Sequence, residues 1–266
     1  MLVDIAERTF VLNLETRADR RAETIAELTG RFGAAAVEEL VEFVPAVRPS
    51  DAGEFPSIGA RGAFESHLKA LRLARDRGLS SVLILEDDVE FNVPSAVLDA
   101  AVALLRDTPD WQYASLGYLP DHFSIDVNDF ARRALHTEFG EEVAPPTDGG
   151  TMLAATDDGS VRLVSMRGGH IGAHCLVFRA SIFDAIIAHL KACLASPAGT
   201  DVVAPMNPDG AYNTFSWIDP AVRAVVVPSL ATQRSSRSDV SPHWLDQAPL
   251  VGSALDGFRR LKRARR

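Results

Sequence analysis

Between Ser81 and Phe91 the chain reads Ser-Val-Leu-Ile-Leu-Glu-Asp-Asp-Val-Glu-Phe, and this run constrains the fold more than any other stretch. Val82 to Leu85 is continuously apolar, the pattern of a central parallel strand covered on both faces. Three carboxylates, Glu86, Asp87 and Asp88, follow in a row. Like charges this close repel one another, so placing them just beyond a buried strand costs stability unless solvent or a cation compensates. Oxygen ligands of this kind suit Mg2+ or Mn2+, which keep several waters and complete their shells with substrate phosphates. A solvated acidic turn is the other reading. Open α/β sheets bind ligands at the carboxyl ends of their strands, and that is where these acids fall.

The flanking segments alternate strand and helix. An apolar strand over Phe10–Leu14 is followed by a helix from about Arg20 to Phe32, a strand over Phe43–Val47 and a Gly/Pro/Ser loop from Ser50 to Gly62. From Ala63 to Arg77, Phe64, Leu68 and Leu71 recur at i, i+4 and i+7, and Gly78 supplies a helix stop. A helix over Ser95–Arg106 and a strand near Tyr113–Leu116 complete the series, which predicts a mostly parallel sheet with helices on both faces. Further on, Asp158-Gly159 marks a hairpin between 151–155 and 161–164. His174 to Phe178 reads as a strand, Ser181 to Leu194 as a helix capped by Ser181, and Ala224 to Val227 as a late strand.

Composition narrows the function classes. With 266 residues, 47% of them hydrophobic and 24% charged, the chain can bury roughly 75% of its unfolded surface without disulfide or metal staples. A formal charge of −9 argues against a nucleic-acid coat protein. The acid is uneven: residues 255–266 carry six Arg and Lys against Asp256, a net +5, so the remaining residues carry −14. Leu255, Phe258 and Leu261 recur every three residues in that tail, a pattern suited to a basic amphipathic helix on anionic lipid. Only two cysteines occur, with no four-ligand Cys/His spacing, which suits a reducing cytoplasm. Asp4, Glu7 and Arg8 occupy the place of a signal peptide's apolar stretch, and no run of 18 apolar residues is present. The expected location is therefore cytoplasmic, with peripheral contact to the inner membrane through the tail.

Three motifs in order resemble glycosyltransferase family 25, which includes lipopolysaccharide and collagen galactosyltransferases. Phe10-Val11-Leu12-Asn13-Leu14 with Arg17, Asp19, Arg20 and Arg21 is similar to that family's opening strand and Arg-rich turn. Ile58-Gly59-Ala60-Arg61-Gly62-Ala63-Phe64-Glu65-Ser66-His67-Leu68 resembles its Gly-x-x-Gly-Cys-x-x-Ser-His-Leu signature, with Ala63 where the family has Cys, a small-for-small change at a packing position. Leu83 to Phe91 resembles its Leu-Glu-Asp-Asp-Val segment. Trp111 to Gly117 resembles the family's Trp-Asp-x-x-x-Leu-Gly strand, and Pro228 with Gln233 and Ser238-Asp239-Val240 resembles its closing region. The likeness covers residues 9 to 117 well, and 118–165 have no counterpart in it.

The resemblance implies a glycosyltransferase-A-like fold, a nucleotide-sugar donor such as UDP-galactose, and a metal-dependent transfer to a glycan or lipid-linked acceptor. Under it, residues 1–117 form the nucleotide-sugar-binding half, 118–254 the acceptor-side half of the same domain, and 255–266 the basic tail. Glu86 or Asp87 would face the ribose, and Asp88 would ligate Mn2+ or Mg2+ at the diphosphate. Asn13 lies on the strand beside base and ribose, and Arg17, Arg20 or Arg21 could reach the diphosphate. His67, between Phe64 and Leu71, reads alone as a core residue; within the motif, Ser66 and His67 bind donor or orient the acidic turn. His170 and His174 flank a Gly-rich turn, and His174 is a possible acceptor-side residue.

Inversion needs a base on the acceptor side, away from the donor's acids. Asp209, in Asn207-Pro208-Asp209-Gly210, reads as a β-turn residue, a place that favours Asp without function. The family places an Asp in a comparable late loop, which makes Asp209 the leading base, with Tyr212 and Trp217 nearby in sequence as sugar-stacking surfaces and Asp219, Glu138 and Asp148 as rivals. Two other functions compete: another metal-dependent phosphate enzyme, such as a nucleotidyltransferase or phosphohydrolase, and an inactive nucleotide-sugar-binding relative. Glu15-Thr16-Arg17-Ala18-Asp19 lacks the glycines of a nucleotidyltransferase phosphate loop, and no Gly-x-x-x-x-Gly-Lys-Ser/Thr occurs.

Overall fold

Successive strand residues point to opposite faces, so an unbroken apolar run needs cover on both sides. The computed structural model describes residues 4–118, 151–165, 171–195, 207–218 and 222–234. Its strands, β1 (Arg8–Asn13), β2 (Val41–Pro45), β3 (Ser81–Glu86), β4 (Val89–Phe91), β5 (Tyr113–Gly117), β6 (Thr151–Ala155), β7 (Arg162–Ser165), β8 (Cys175–Arg179), β9 (Arg223–Val227) and β10 (Ala231–Gln233), join in one sheet. The helices are α1 (Ala18–Phe32), α2 (Ala34–Leu40), α3 (Ile58–Asp76), α4 (Ser95–Asp107), α5 (Phe183–Ala195) and α6 (Pro208–Ile218). Phe10, Leu12, Val82, Ile84, Leu176 and Phe178 face a core closed by α3, α5 and α6. Val11, Leu83, Leu85, Cys175 and Val177 face a second core, closed by α1, α2 and α4. The result is the expected α/β sandwich with helices on both faces.

The strand order is β2-β1-β3-β8-β5-β9-β7-β6, with β10 pairing both β4 and β5. Strands β1, β2, β3, β5, β6, β9 and β10 share one direction, so the sheet is largely parallel. The antiparallel β8 is inserted between β3 and β5, which makes the centre mixed. In the parallel pair β1–β3, Leu12 lies opposite Glu86, so Asn13 and the acidic turn share one end of the sheet.

Several boundaries, and three short elements, differ from expectation. Helix α3 begins at Ile58 rather than Ala63, because the Ser57 side chain accepts the Ala60 N–H at 2.9 Å and caps it, which places Gly59 and Gly62 inside the helix instead of in the loop. The helix after β8 opens with a 3₁₀ turn at Ala180–Ile182, and no side chain caps that turn. The short helix α2 and strands β4 and β10 carry too few residues for periodicity to reveal.

Gly62 has a packing reason for lacking a side chain. A Cβ there would sit 2.8 Å from the Val47 carbonyl oxygen and 3.3 Å from Pro49, on the loop after β2. Gly62→Ala is therefore expected to destabilise the protein by about 1–2 kcal/mol, the clash outweighing the helix-propensity gain. Gly30→Ala, where nothing lies within 4 Å, should instead stabilise by about 0.5–1 kcal/mol. Thermal melts of the two variants check the contrast, and a Gly62→Ala protein as stable as the parent would contradict it.

Candidate active site

The acidic turn is held by backbone and side-chain partners drawn from far along the chain. Thr24 of α1 donates its hydroxyl to the Asp87 carbonyl at 2.6 Å. The Arg234 N–H donates to the Asp88 carbonyl at 2.6 Å, and its guanidinium donates to the Val89 carbonyl at 3.0 Å and to Glu23 at 2.8 Å. Asp87 is buried, with one oxygen accepting from Asn13 Nδ2 at 2.8 Å and the other from Arg20 Nη1 at 2.7 Å. The same Arg20 nitrogen lies 3.3 Å from Asp88 Oδ2. One guanidinium thus serves two carboxylates.

Asp88 is left under-compensated. Its Oδ1 is buried and makes no hydrogen bond among the described residues. Burial, followed by the neighbouring Glu86 charge, pushes its carboxyl up to about 7. Glu86 goes the other way: burial raises it, but the His67 ring and the Gln233 amide, at 2.8 Å, outweigh that and hold it below the usual carboxylate value.

These groups line a cavity of about 600 Å³ at the carboxyl ends of β1, β2 and β3. Leu12, Leu14, Thr16, Arg17 and Arg20 form one wall, and Val47, Arg48 and Pro49 of the loop after β2 form another. Arg17 is oriented by paired hydrogen bonds of 3.0 Å to Asp19, whose carboxyl that arginine lowers to about 2. Helix α3 contributes Ile58, Ala63, Ser66 and His67. Ala63 therefore faces the cavity rather than filling a packing position. Ser66 accepts the Val47 N–H at 2.8 Å and donates to the Gly62 carbonyl at 2.6 Å, tying helix to loop.

Ile171 to Ala173 and Asn207 to Asp209 also line the cavity. Asp209 is not in an isolated β-turn: it occupies the first turn of α6, after Pro208, where the helix N-terminus favours an anion. Its Oδ2 accepts the Gly172 N–H and its Oδ1 the Gly210 N–H, both at 3.0 Å. Burial raises its pKa, and those two N–H groups oppose the rise. Asn13, Arg17, Arg20, Ser66, His67, Glu86, Asp87, Asp88 and Asp209 are thus gathered around one cavity, with Asn13 just behind its wall. Tyr212 is 1% exposed and sits in the core, so it offers no sugar-stacking surface. His174 is wholly buried, its Nε2 3.0 Å from the Ala231 carbonyl, and it offers no surface to an acceptor. Arg48, Asn207 and the clamp residues Thr24 and Arg234 had no sequence motif to announce them. His170, Glu138, Asp148, Asp219, Ser238–Val240 and the 255–266 tail lie outside the described residues.

A single divalent ion fits the donor set through the bare Asp88 oxygen. Among the described residues no cluster of three or more His, Cys, Asp or Glu could hold one, so phosphate oxygens and water would have to complete its shell. No helix among the described residues is long and apolar enough to cross a membrane.

No protein family and no curated protein is matched by the sequence. Solved structures are matched by fold. One is a glycosyltransferase involved in the glycosylation of the major capsid of PBCV-1, at 9% identity over 86% of this chain and 93% of that one, TM-score 0.44. Another is mannose-1-phosphate geranyltransferase from Thermus thermophilus, at 12% identity over 82% and 73%, TM-score 0.40. A third is the mannosyltransferase PcManGT from Pyrobaculum calidifontis in complex with GDP-Man and Mn2+, at 11% identity over 89% of this chain but 59% of that one, TM-score 0.44. None singles out family 25, and likenesses this loose leave the functional argument to the geometry of the cavity.

Proposed function

We propose that the chain is a metal-dependent inverting glycosyltransferase that moves a hexose, galactose in the first instance, from a nucleotide diphosphate to a hydroxyl of a glycan or lipid-linked acceptor. One observation carries this reading: the Asp88 carboxylate, with an oxygen that has no partner among the described residues, the Arg17 and Arg20 side chains and Asp209 all line a single cavity. A divalent cation at Asp88 would offset the charge that develops on the departing diphosphate. Arg17, held in place by Asp19, and Arg20 would bind the diphosphate oxygens. Asp209 would take the proton from the acceptor hydroxyl, a duty for which a raised pKa makes a carboxylate a better base. Ser66 would hold the β2 loop against α3, and Asn13 would keep Asp87 in place beside the ribose. The basic tail would bring the enzyme to anionic lipid on the cytoplasmic side, where lipid-linked acceptors are presented.

A thermal-shift panel of nucleotide sugars with Mn2+ tests the reading, because a ligand that binds only the folded state raises the melting temperature with saturation. One nucleotide sugar should give a clear Mn2+-dependent rise, followed by transfer to acceptor. A rise only with nucleoside triphosphates, and release of pyrophosphate, would assign a nucleotidyltransferase instead. Binding without turnover across a broad acceptor set would leave a nucleotide-sugar-binding protein.

A further inference from the structure

One set of contacts at the cavity floor has no part in the scheme above. The Tyr212 hydroxyl of α6 lies 3.0 Å from Nδ1 of His67, a fully buried residue of α3. His67 Nε2 is also buried and makes no hydrogen bond among the described residues, with Glu86 Oε1 at 3.6 Å. The other Glu86 oxygen is occupied by Gln233. Both His67 and Glu86 line the cavity.

When the imidazole is neutral it has two tautomers, and the surroundings distinguish them. With the proton on Nδ1, the ring would donate to the phenol, leave the buried phenol hydrogen without an acceptor among the described residues, and turn a bare nitrogen lone pair toward a carboxylate. With the proton on Nε2, the phenol donates to Nδ1 and an N–H faces Glu86. Burial holds the phenol well above its usual pKa, so it keeps its proton for this bond. The second arrangement satisfies the tyrosine and removes the repulsion.

At 3.6 Å the ring N–H and the carboxylate are too far apart to satisfy each other. A group that satisfies both is one that accepts from nitrogen and donates to oxygen: a water, or a ligand hydroxyl that takes the water's place. A phosphate oxygen would meet Glu86 as a like charge. We infer that His67 Nε2–H and Glu86 Oε1 form a two-point clamp for one hexose hydroxyl of the donor, with Tyr212 as the positioning residue that fixes the polarity of the clamp. The hexose rests on the glycosyltransferase reading; the polarity rests on the hydrogen bonds alone. The clamp lines the same cavity as Asp88 and Asp209.

The test uses the full chain labelled with ¹⁵N-histidine, the His67 signals being assigned by their loss in His67→Gln. The wild type should show His67 protonated at Nε2, and Tyr212→Phe should shift its Nδ1 resonance or mix the tautomers. Calorimetry with Mn2+ then compares UDP-galactose with UDP. Tyr212→Phe and His67→Ala should weaken UDP-galactose about tenfold more than UDP, while His67→Gln, which keeps an N–H donor, should restore most of the loss. An Nδ1-protonated His67 in the wild type would overturn the clamp, as would equal losses for UDP and UDP-galactose. Failure of every nucleotide sugar to bind would sink the glycosyltransferase reading and the hexose with it, while the tautomer would still decide the polarity.

Discussion

Asp88→Asn is expected to stabilise the metal-free protein at pH 8 while abolishing Mn2+-dependent donor binding. The Asp88 carboxyl titrates near 7 in the fold against 3.8 ordinarily, burial being the larger cause and Glu86 the next. For an acid whose pKa is raised by folding, the folded state binds more protons between the two values, so stability falls as pH rises from about 4 to about 7. Above that window the full penalty is present, on the order of 2–4 kcal/mol at 1.36 kcal/mol per pKa unit. Asparagine carries no charge to desolvate, so its melting temperature should exceed that of the parent at pH 8 and converge with it toward pH 4. The same substitution removes the bare oxygen that fits the cation, so Mn2+ should no longer strengthen donor binding. Melts in chelator across pH 4–8, and calorimetry with and without Mn2+, provide the check. Parallel stability profiles, or an unchanged Mn2+ effect, would remove Asp88 from this role.

The second large effect is expected at Asp209. Positioned general-base catalysis is typically worth 10²–10⁴-fold, so Asp209→Asn should lose about that factor in kcat while the donor Kd changes by less than about threefold. The asparagine oxygen can still accept from Gly172 or Gly210, but its amide nitrogen then opposes the other N–H, so local disturbance of 171–173 belongs to the prediction. Near-ultraviolet circular dichroism and the donor Kd separate that disturbance from loss of the base. A kcat loss under tenfold, or an equal loss of donor affinity, would place the base elsewhere.

Much of the architecture was legible because it depends on spacing within one element. The unbroken Val82–Leu85 run demanded cover on both faces and received it, and Phe64, Leu68 and Leu71 marked the inward side of α3 on which His67 is buried. The three adjacent acids at a strand end were visible for the same local reason. The α6 start was misread because Asn-Pro-Asp-Gly satisfies both turn and helix-start preferences; Pro at the first helical position and Asp in the first turn prevailed once the helix could pack Tyr212 and Phe215 into the core.

What the sequence by itself determined, then, is the alternation of strands and helices, the burial of their apolar faces and the placement of acids at one end of β3. The tertiary structure alone decided how those acids differ. Asp87 is neutralised by Asn13 and Arg20 from 74 and 67 residues away, Glu86 is held by Gln233 from 147 residues away, and Asp88 keeps an oxygen with no partner among the described residues. His67 meets Tyr212 across 145 residues, and Asp209 meets Gly172 across 37. Periodicity reports which face of an element is apolar. It does not report strand order, and the insertion of antiparallel β8 beside β3 sets which distant hydrogen-bonding groups share the cavity.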